Sequence, residues 1–167
     1  MKTAIIYSHK TNKTTKVAKM ISEAFESPID DLDVESIEPN VFNKYDLLIL
    51  GVPTWFDGEL PSYWDEMVSA VEDLDLKNTK VALFGNGDQV NYSENFGDAV
   101  GLLAEVLESS HAQIIGKTST KTYTFEASKA LSDDSFVGLI LDFENQNKLN
   151  KERVSGWVKQ LKKEIVS

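Results

Sequence analysis

The sequence predicts a doubly wound α/β fold, a parallel sheet held between two layers of helices. Two observations carry that expectation. Five short apolar runs recur along the 167 residues, most of them without the period-two alternation of a strand buried on one face only. Between the runs, apolar residues return at helical spacing. Strand and helix therefore alternate, and right-handed crossovers then place helices on both faces of the sheet.

The first run, TAIIY at 3–7, is followed by Val17, Met20, Ile21, Ala24 and Phe25 on one helical face. DLDVES at 31–36 is the weakest strand. DLLILG at 46–51 precedes a helix marked by Trp64, Met67, Val68 and Val71, and KVALFG at 80–85 one marked by Ala99, Leu102, Leu103, Val106 and Leu107. FVGLILD at 136–142 is followed by Val154, Trp157, Val158 and Leu161. From Gln113 to Ser135 the pattern breaks: QIIGKTS starts a strand, TKTYTFEASKALSDDS is a polar excursion, and FVGLILD resumes the strand. An insertion within the last, edge strand accounts for all three. No repeat, low-complexity tract or Pro/Gly/Ser linker interrupts the chain, so residues 1–167 are expected to form one domain.

Composition removes several chemistries. Cysteine is absent, which excludes disulfides, iron-sulfur ligation and thiol catalysis, and His9 and His111 are the only histidines, too few for a histidine-rich metal site. Redox chemistry in this chain needs a bound organic cofactor. The formal charge of −10 repels nucleic acid and anionic membranes and favours basic partners, besides keeping the protein in solution. No apolar stretch is long enough to span a bilayer and no signal-peptide pattern opens the chain, so the expected location is the cytoplasm.

Ligands of open parallel sheets bind beyond the carboxyl ends of the strands, where strand order reverses. Three loops lie there. YSHKTNKTTK runs from the first strand into a helix, whose free N–H groups, with the hydroxyls of Thr11 and Thr14, suit a phosphate. The plainer reading is that one of these threonines caps the helix. The loop lacks the spacing of a nucleotide triphosphatase. GVPTWFDGEL sets Trp55 and Phe56 in a polar turn, where Trp55 either covers a flat ring or plugs against the next helix, and Gly58 frees the backbone beside it. FGNGDQVNYSENFGDA offers tight turns at Gly85 and Gly87 and a second flat face at Tyr92, while Asp88 reads as a turn residue.

PTWFDGELPSYWDE and FGNGDQVNYSENFGDA resemble the two flavin loops of flavodoxins, KTNKT resembles their phosphate loop, and the carboxyl end from FVGLILD to KQLK is similar in register. The resemblance covers essentially the whole chain and is to the long-chain type of cyanobacteria and algae. It implies a flavodoxin-like three-layer sandwich, a five-stranded parallel sheet of order 2-1-3-4-5 with an insertion in the last strand; flavodoxins are themselves a type example of the switch-point rule. It further implies a low-potential one-electron carrier, not an enzyme, with non-covalently bound FMN. Such a carrier shuttles between semiquinone and hydroquinone and replaces ferredoxin under iron limitation.

Residue by residue, the resemblance makes Ser8, His9, Lys10, Thr11, Asn12, Lys13 and Thr14 the phosphate loop. Pro53, Thr54, Trp55, Phe56, Asp57 and Gly58 form the first ring loop, and Asn86, Gly87, Asp88, Gln89 and Tyr92 the second. Trp55 and Tyr92 then stack on opposite faces of the isoalloxazine. Residues 86–89 run beside its pyrimidine edge. No catalytic or metal-binding residue is implied.

Two departures bear on this. His9 stands where the family's Thr-x-Thr-Gly-x-Thr loop has its first threonine, and Asn12 stands at the glycine, where a left-handed backbone suits it better than most residues. His9 either donates to the phosphate, aided by Lys10 or Lys13, or swings into solvent. Phe56 replaces a smaller polar residue in the turn whose peptide is expected to face flavin N5, so the Phe56–Asp57 and Asp57–Gly58 peptides bear on one-electron chemistry.

A reduced flavin anion set between aromatics in an acidic protein is raised in energy, which makes a strong reductant. Asp57, Glu59, Asp65, Glu66, Glu72, Asp73 and Asp75 cluster near the Trp55 loop and are expected to steer basic redox partners such as ferredoxin-NADP reductase, photosystem I or other ferredoxin-dependent enzymes. The excursion, with Tyr123 and Phe125, is either a second docking surface or a cover for the sheet edge. A monomer is expected. The alternatives are an FMN-dependent NAD(P)H quinone reductase of the same fold and a phosphoacceptor module, the latter disfavoured because no acidic residue follows the first strand.

Overall fold

The computed structural model describes every residue, Met1–Ser167. β1 (Thr3–Tyr7), β2 (Asp30–Asp33), β3 (Leu47–Gly51) and β4 (Lys80–Asn86) are parallel, with β2 on β1, β1 on β3 and β3 on β4. The far edge is shared. β5 (Gln113–Ile115) pairs with Lys80–Ala82, and β9 (Leu139–Leu141) pairs with Phe84–Asn86, so two short strands continue one another along β4. The chain between them carries β6 (Thr118–Ser119), β7 (Leu131–Ser132) and β8 (Ser135–Phe136), a small antiparallel sheet of order β6-β8-β7. The order β2-β1-β3-β4-β5 and the insertion in the edge strand are those the sequence led us to expect.

α1 (Lys13–Phe25) and α4 (Asn150–Ile165) cover one face, and α2 (Ser62–Val71) and α3 (Asp98–Ser109) the other. Successive strand residues divide between them: Ile5, Leu47, Ile49, Ala82 and Phe84 pack with Val17, Ile21, Trp157 and Leu161, while Ala4, Ile6, Leu48, Leu50 and Leu83 pack with Trp64, Val68 and Leu103. Burial on both faces is why β1 and β3 read as unbroken apolar runs. Both buried indoles have acceptors. Trp64 Nε1 donates to Gly51 O at 3.0 Å, and Trp157 Nε1 to Gly116 O at 2.8 Å, which fixes the point where the chain leaves β5.

One expectation changes and one alternative is decided. The second strand spans Asp30–Asp33 rather than 31–36, because the Asp33 carboxylate accepts from Glu35 N at 3.2 Å and from Ser36 Oγ at 3.3 Å and turns the chain there. Tyr123 and Phe125 take the cover reading, half-buried over the sheet edge. Phe125 stacks on Phe96 at 5.5 Å, Tyr123 meets Phe136 at 5.0 Å, and the Tyr123 hydroxyl donates to Ile140 O, so both turn inward against the α3 side of the sheet. No helix is long and apolar enough to cross a membrane.

Candidate functional site

The loop from β1 to α1 folds around Ser8. The backbone N–H and the hydroxyl of Thr11 both donate to Ser8 O, at 3.1 and 2.7 Å, while Ser8 Oγ donates to Glu35 at 2.7 Å. Asn12 sits just before α1 with φ −90° and ψ −63°, an ordinary right-handed conformation, so the position needs no left-handed backbone and the expectation for Asn12 is corrected. No side chain caps α1, which also removes the capping reading of Thr11 and Thr14. Thr14 Oγ1 is instead buried without a hydrogen-bond partner, on a helical first turn that carries no acidic residue.

The basic residues of this loop each hold a carboxylate. His9 Nε2 lies 2.7 Å from Asp31 Oδ1, with its ring 4.9 Å from Tyr7, whose hydroxyl donates to the other Asp31 oxygen at 2.9 Å. Burial first, then the Asp31 hydrogen bond, pushes the Tyr7 hydroxyl well above its usual pKa. Lys10 Nζ stands 3.6 Å from Glu35, and Lys13 Nζ meets Glu144. His9 is therefore neither loose in solvent nor, in this conformation, aimed away from β2.

The Trp55 loop is a closed turn. Trp55 N donates to Glu59 O at 2.8 Å and Glu59 N to Trp55 O at 2.7 Å, which forces the three residues between them into a tight bend. Phe56 has φ +48° and Gly58 φ +98°. Only a glycine fits at 58: a Cβ there would come within 2.5 Å of Asp98 Oδ2. Asn95 Nδ2 donates to Asp57 O at 3.0 Å and Ala99 N to Thr54 Oγ1 at 3.1 Å, so the chain entering α3 holds the loop at its start and at its bend. Trp55 leans on Tyr63 of α2 yet is 38% exposed, and Phe56 is 74% exposed.

The third loop is shaped by Asp88, as the turn reading expected. Its carboxylate accepts from Val90 N at 3.1 Å, Asn91 N at 3.0 Å, Asn91 Nδ2 at 2.8 Å and Asn145 Nδ2 at 2.8 Å. Partial burial raises its pKa, but these hydrogen bonds outweigh that and hold the carboxyl below the usual range. Tyr92 is left 55% exposed, its N–H closing the turn on Asp88 O. Neither Gly85 nor Gly87 takes a positive φ, correcting the expectation of glycine turns; at Gly87 a Cβ would lie 2.8 Å from the Phe96 ring, so close approach is what excludes a side chain. Gln89 turns away: its side chain is buried, donating to Asp142 and accepting from Thr124 N.

Thr54, Trp55, Phe56, Gly87, Asp88, Tyr92 and Asn95 line one cleft of about 450 Å³ at the carboxyl ends of β3 and β4. A recess of about 160 Å³ shares Thr54, Gly87, Asp88 and Tyr92 with it and adds Lys13, Pro53 and Asn86, leading toward the first loop. Asn86 Oδ1 is a second buried atom without a partner. The structure thus brings the three loops together, with Ser8 and Gln89 facing inward to the protein. Asn95, Asp98, Asp142 and Asn145 escaped the sequence reading. The rule that sites form at strand ends could have marked Asp142, which closes FVGLILD; nothing in the sequence marks Asn95.

An exposed aromatic on each of two adjacent loops, beyond a switch point and joined to a helix-start loop, defines a protein that binds a planar ring carrying an anionic tail. Residues 5–157 match the flavodoxin family. A flavodoxin of Nostoc is 42% identical over 98% of this chain and 97% of its own length, and flavodoxin 1 of Escherichia coli is 41% identical over 98% and 94%. The crystal structure of Fusobacterium nucleatum flavodoxin bound to flavin mononucleotide superposes with a TM-score of 0.92 at 29% identity, covering 98% of this chain and 99% of that one. The chain belongs to the flavodoxin family. The sheet order and the three layers match those structures.

Proposed function

We propose that this chain is a low-potential one-electron carrier that holds FMN non-covalently in the cleft between Trp55 and Tyr92, and not an enzyme acting on a substrate of its own. The observation that carries the reading is the pair of exposed aromatic faces joined by a recess to Lys13 at the start of α1, one residue before the buried, unpartnered hydroxyl of Thr14. An orphaned buried hydroxyl is costly, and a phosphate oxygen at the start of α1 removes that cost, so the residues present fit the group.

FMN, when bound, supplies a ring that accepts and gives electrons one at a time. Thr14 and the free N–H groups opening α1 bind the phosphate, with Thr11 shaping the loop through Ser8 O. His9, Lys10 and Lys13 are held back from it by Asp31, Glu35 and Glu144, which keeps the loop's donors mainly neutral. Trp55 and Tyr92 would cover the two faces and exclude water. The strained 56–58 turn, with Asn95 donating to the Asp57 carbonyl, would present its backbone to the ring edge. Asn86, Gly87, Asp88 and the backbone of Gln89 flank the remaining edge.

Redox proteins are the partners. Asp57, Glu59, Asp65, Glu66, Glu72, Asp73 and Asp75 are all exposed, which supports docking by basic proteins such as ferredoxin-NADP reductase, photosystem I or other ferredoxin-dependent enzymes. The reading includes replacement of ferredoxin, a cytoplasmic location and action as one domain and a monomer. Anaerobic potentiometric titration of the FMN-loaded protein tests it: two separated one-electron steps, the second at low potential, are expected. A single two-electron step with steady NAD(P)H consumption by the protein alone would replace it with the quinone-reductase reading.

A further inference from the structure

Asp142 is fully buried at the end of β9, yet no cation approaches it. Its carboxylate is satisfied entirely by N–H groups. Oδ2 accepts from Gln89 N at 3.1 Å and Gln89 Nε2 at 2.7 Å, and Oδ1 from Glu144 N at 3.1 Å and Asn145 N at 3.0 Å. Asn145 Nδ2 bridges, donating to Asp142 Oδ2 at 3.0 Å and to Asp88 Oδ1 at 2.8 Å. Asp88 in turn holds Val90, Asn91 and, through its carbonyl, Tyr92. One strand residue away, Gly87 N donates to Leu141 O at 2.9 Å.

A carboxylate buried among neutral donors is expensive unless every lone pair is used, so a position tolerates it only where several N–H groups must be gathered at one point. Here the gathered groups come from two loops: 86–92, which carries one wall of the cleft, and 144–146, which follows β9. The ladder between β4 and β9 ends with Asn86 opposite Leu141 and the Gly87 N–H on Leu141 O. Beyond them, Asp142 is what continues the pairing.

We infer that Asp142 is a positioning residue for the Tyr92 wall: it fixes where the 86–92 loop stands against the bound ring, and its one link toward the phosphate loop runs through Glu144, whose side chain meets Lys13. The inference rests on the FMN-binding reading above. Its chemistry separates it from general support of the fold, since an asparagine of the same size must turn a donor toward N–H groups on one side or the other, leaving at least two of them without an acceptor.

The test uses D142N and, as a milder variant on an exposed side chain, N145A. For each full-length apoprotein, affinity is measured separately for FMN and for inorganic phosphate, and the visible circular dichroism of the FMN-loaded protein is recorded. D142N is expected to weaken FMN binding by about tenfold or more, well beyond any change in phosphate affinity, and N145A by a few-fold with phosphate affinity unchanged, the dichroism altering in both. Unchanged FMN affinity in both variants overturns the inference. So does a parallel loss of FMN and phosphate affinity, which would mark a general loss of structure. If D142N does not fold, N145A decides by the same outcomes. Wild-type apoprotein that takes up no FMN would instead refute the cofactor reading itself, and the inference with it.

Discussion

Tyr63 presents its ring edge to the indole of Trp55, with centroids 5.7 Å apart and planes at 88°, so α2 fixes the outer wall of the cleft from behind. The Tyr63 hydroxyl is buried with no partner, and burial, followed by the Glu35 and Asp33 charges, pushes its pKa up to about 12. Y63F keeps the ring and removes the orphan, so its thermal midpoint is expected to equal or exceed that of the wild type, while Y63A weakens FMN binding several-fold. Because the folded pKa is raised, the stability is intact below the unfolded value of 10.0 and lost as pH rises toward about 12. Denaturant titrations across that window should show a decline in wild type that is smaller in Y63F.

Gly58 combines a φ of +98° with a 2.5 Å approach to Asp98 for any added Cβ. G58A is expected to lower apoprotein stability by about 1–2 kcal/mol by chemical denaturation. It should also shift the separation between the two one-electron potentials, since the turn can no longer relax. Unaltered potentials would mean that the 56–58 turn does not meet the ring.

At Thr14 the two states of the protein should respond in opposite ways. T14V removes a buried hydroxyl that has no partner in the apoprotein, so apoprotein stability should hold or rise by about 1 kcal/mol. FMN affinity should fall by about tenfold while riboflavin, which has no phosphate, binds as before. Equal losses for both flavins would place the phosphate elsewhere.

Acid reaches the second cleft loop through Asp88. Asp88 has a folded pKa below its ordinary value, so its contribution is present above the unfolded pKa of about 4 and is lost as pH falls through the lower folded value. D88N should flatten the acid limb of the apoprotein's stability curve. It should cost about 1 kcal/mol at neutral pH, measured by urea unfolding.

Seven exposed carboxylates from Asp57 to Asp75 predict encounter rates that fall with salt. Electron transfer from the reduced protein to a basic redox protein, followed by stopped flow, should slow by about tenfold or more between low and physiological ionic strength. Charge-neutralised variants at Glu66 and Asp73 should reduce that slope.

The residues that were legible in the sequence are those whose burial leaves a pattern. β1, β3 and β4 show as apolar runs because both faces are covered, and the split edge strand showed because a polar excursion interrupts one such run. β2 was blurred because its partners are hydroxyls: Tyr45 donates to Asp30 and Tyr7 to Asp31, so an acidic strand is held without apolar burial. Loop position marked Trp55 and Tyr92 as candidates, and the resemblance to the flavin loops made them the two walls. His9 could not, since its pairing with Asp31 depends on the register that sets Tyr7 opposite Asp33. The inward turn of Tyr123 and Phe125 had a signal that went unused, aromatic residues alternating with Thr122 and Thr124 as in a strand with one buried face.

The divided edge also orders events in time. β5 reaches β4 by way of α3 alone, whereas β9 must wait until the chain from Gly116 to Gly138 has looped back, and closing that longer loop has a higher entropic cost. The lower half of the sheet is thus the natural early partner and the upper half the late one. Since β9 delivers Leu141 and Asp142 to the 86–92 loop, the cofactor wall is assembled among the last contacts of folding, and partly folded chains should have an ordered sheet before they can retain flavin.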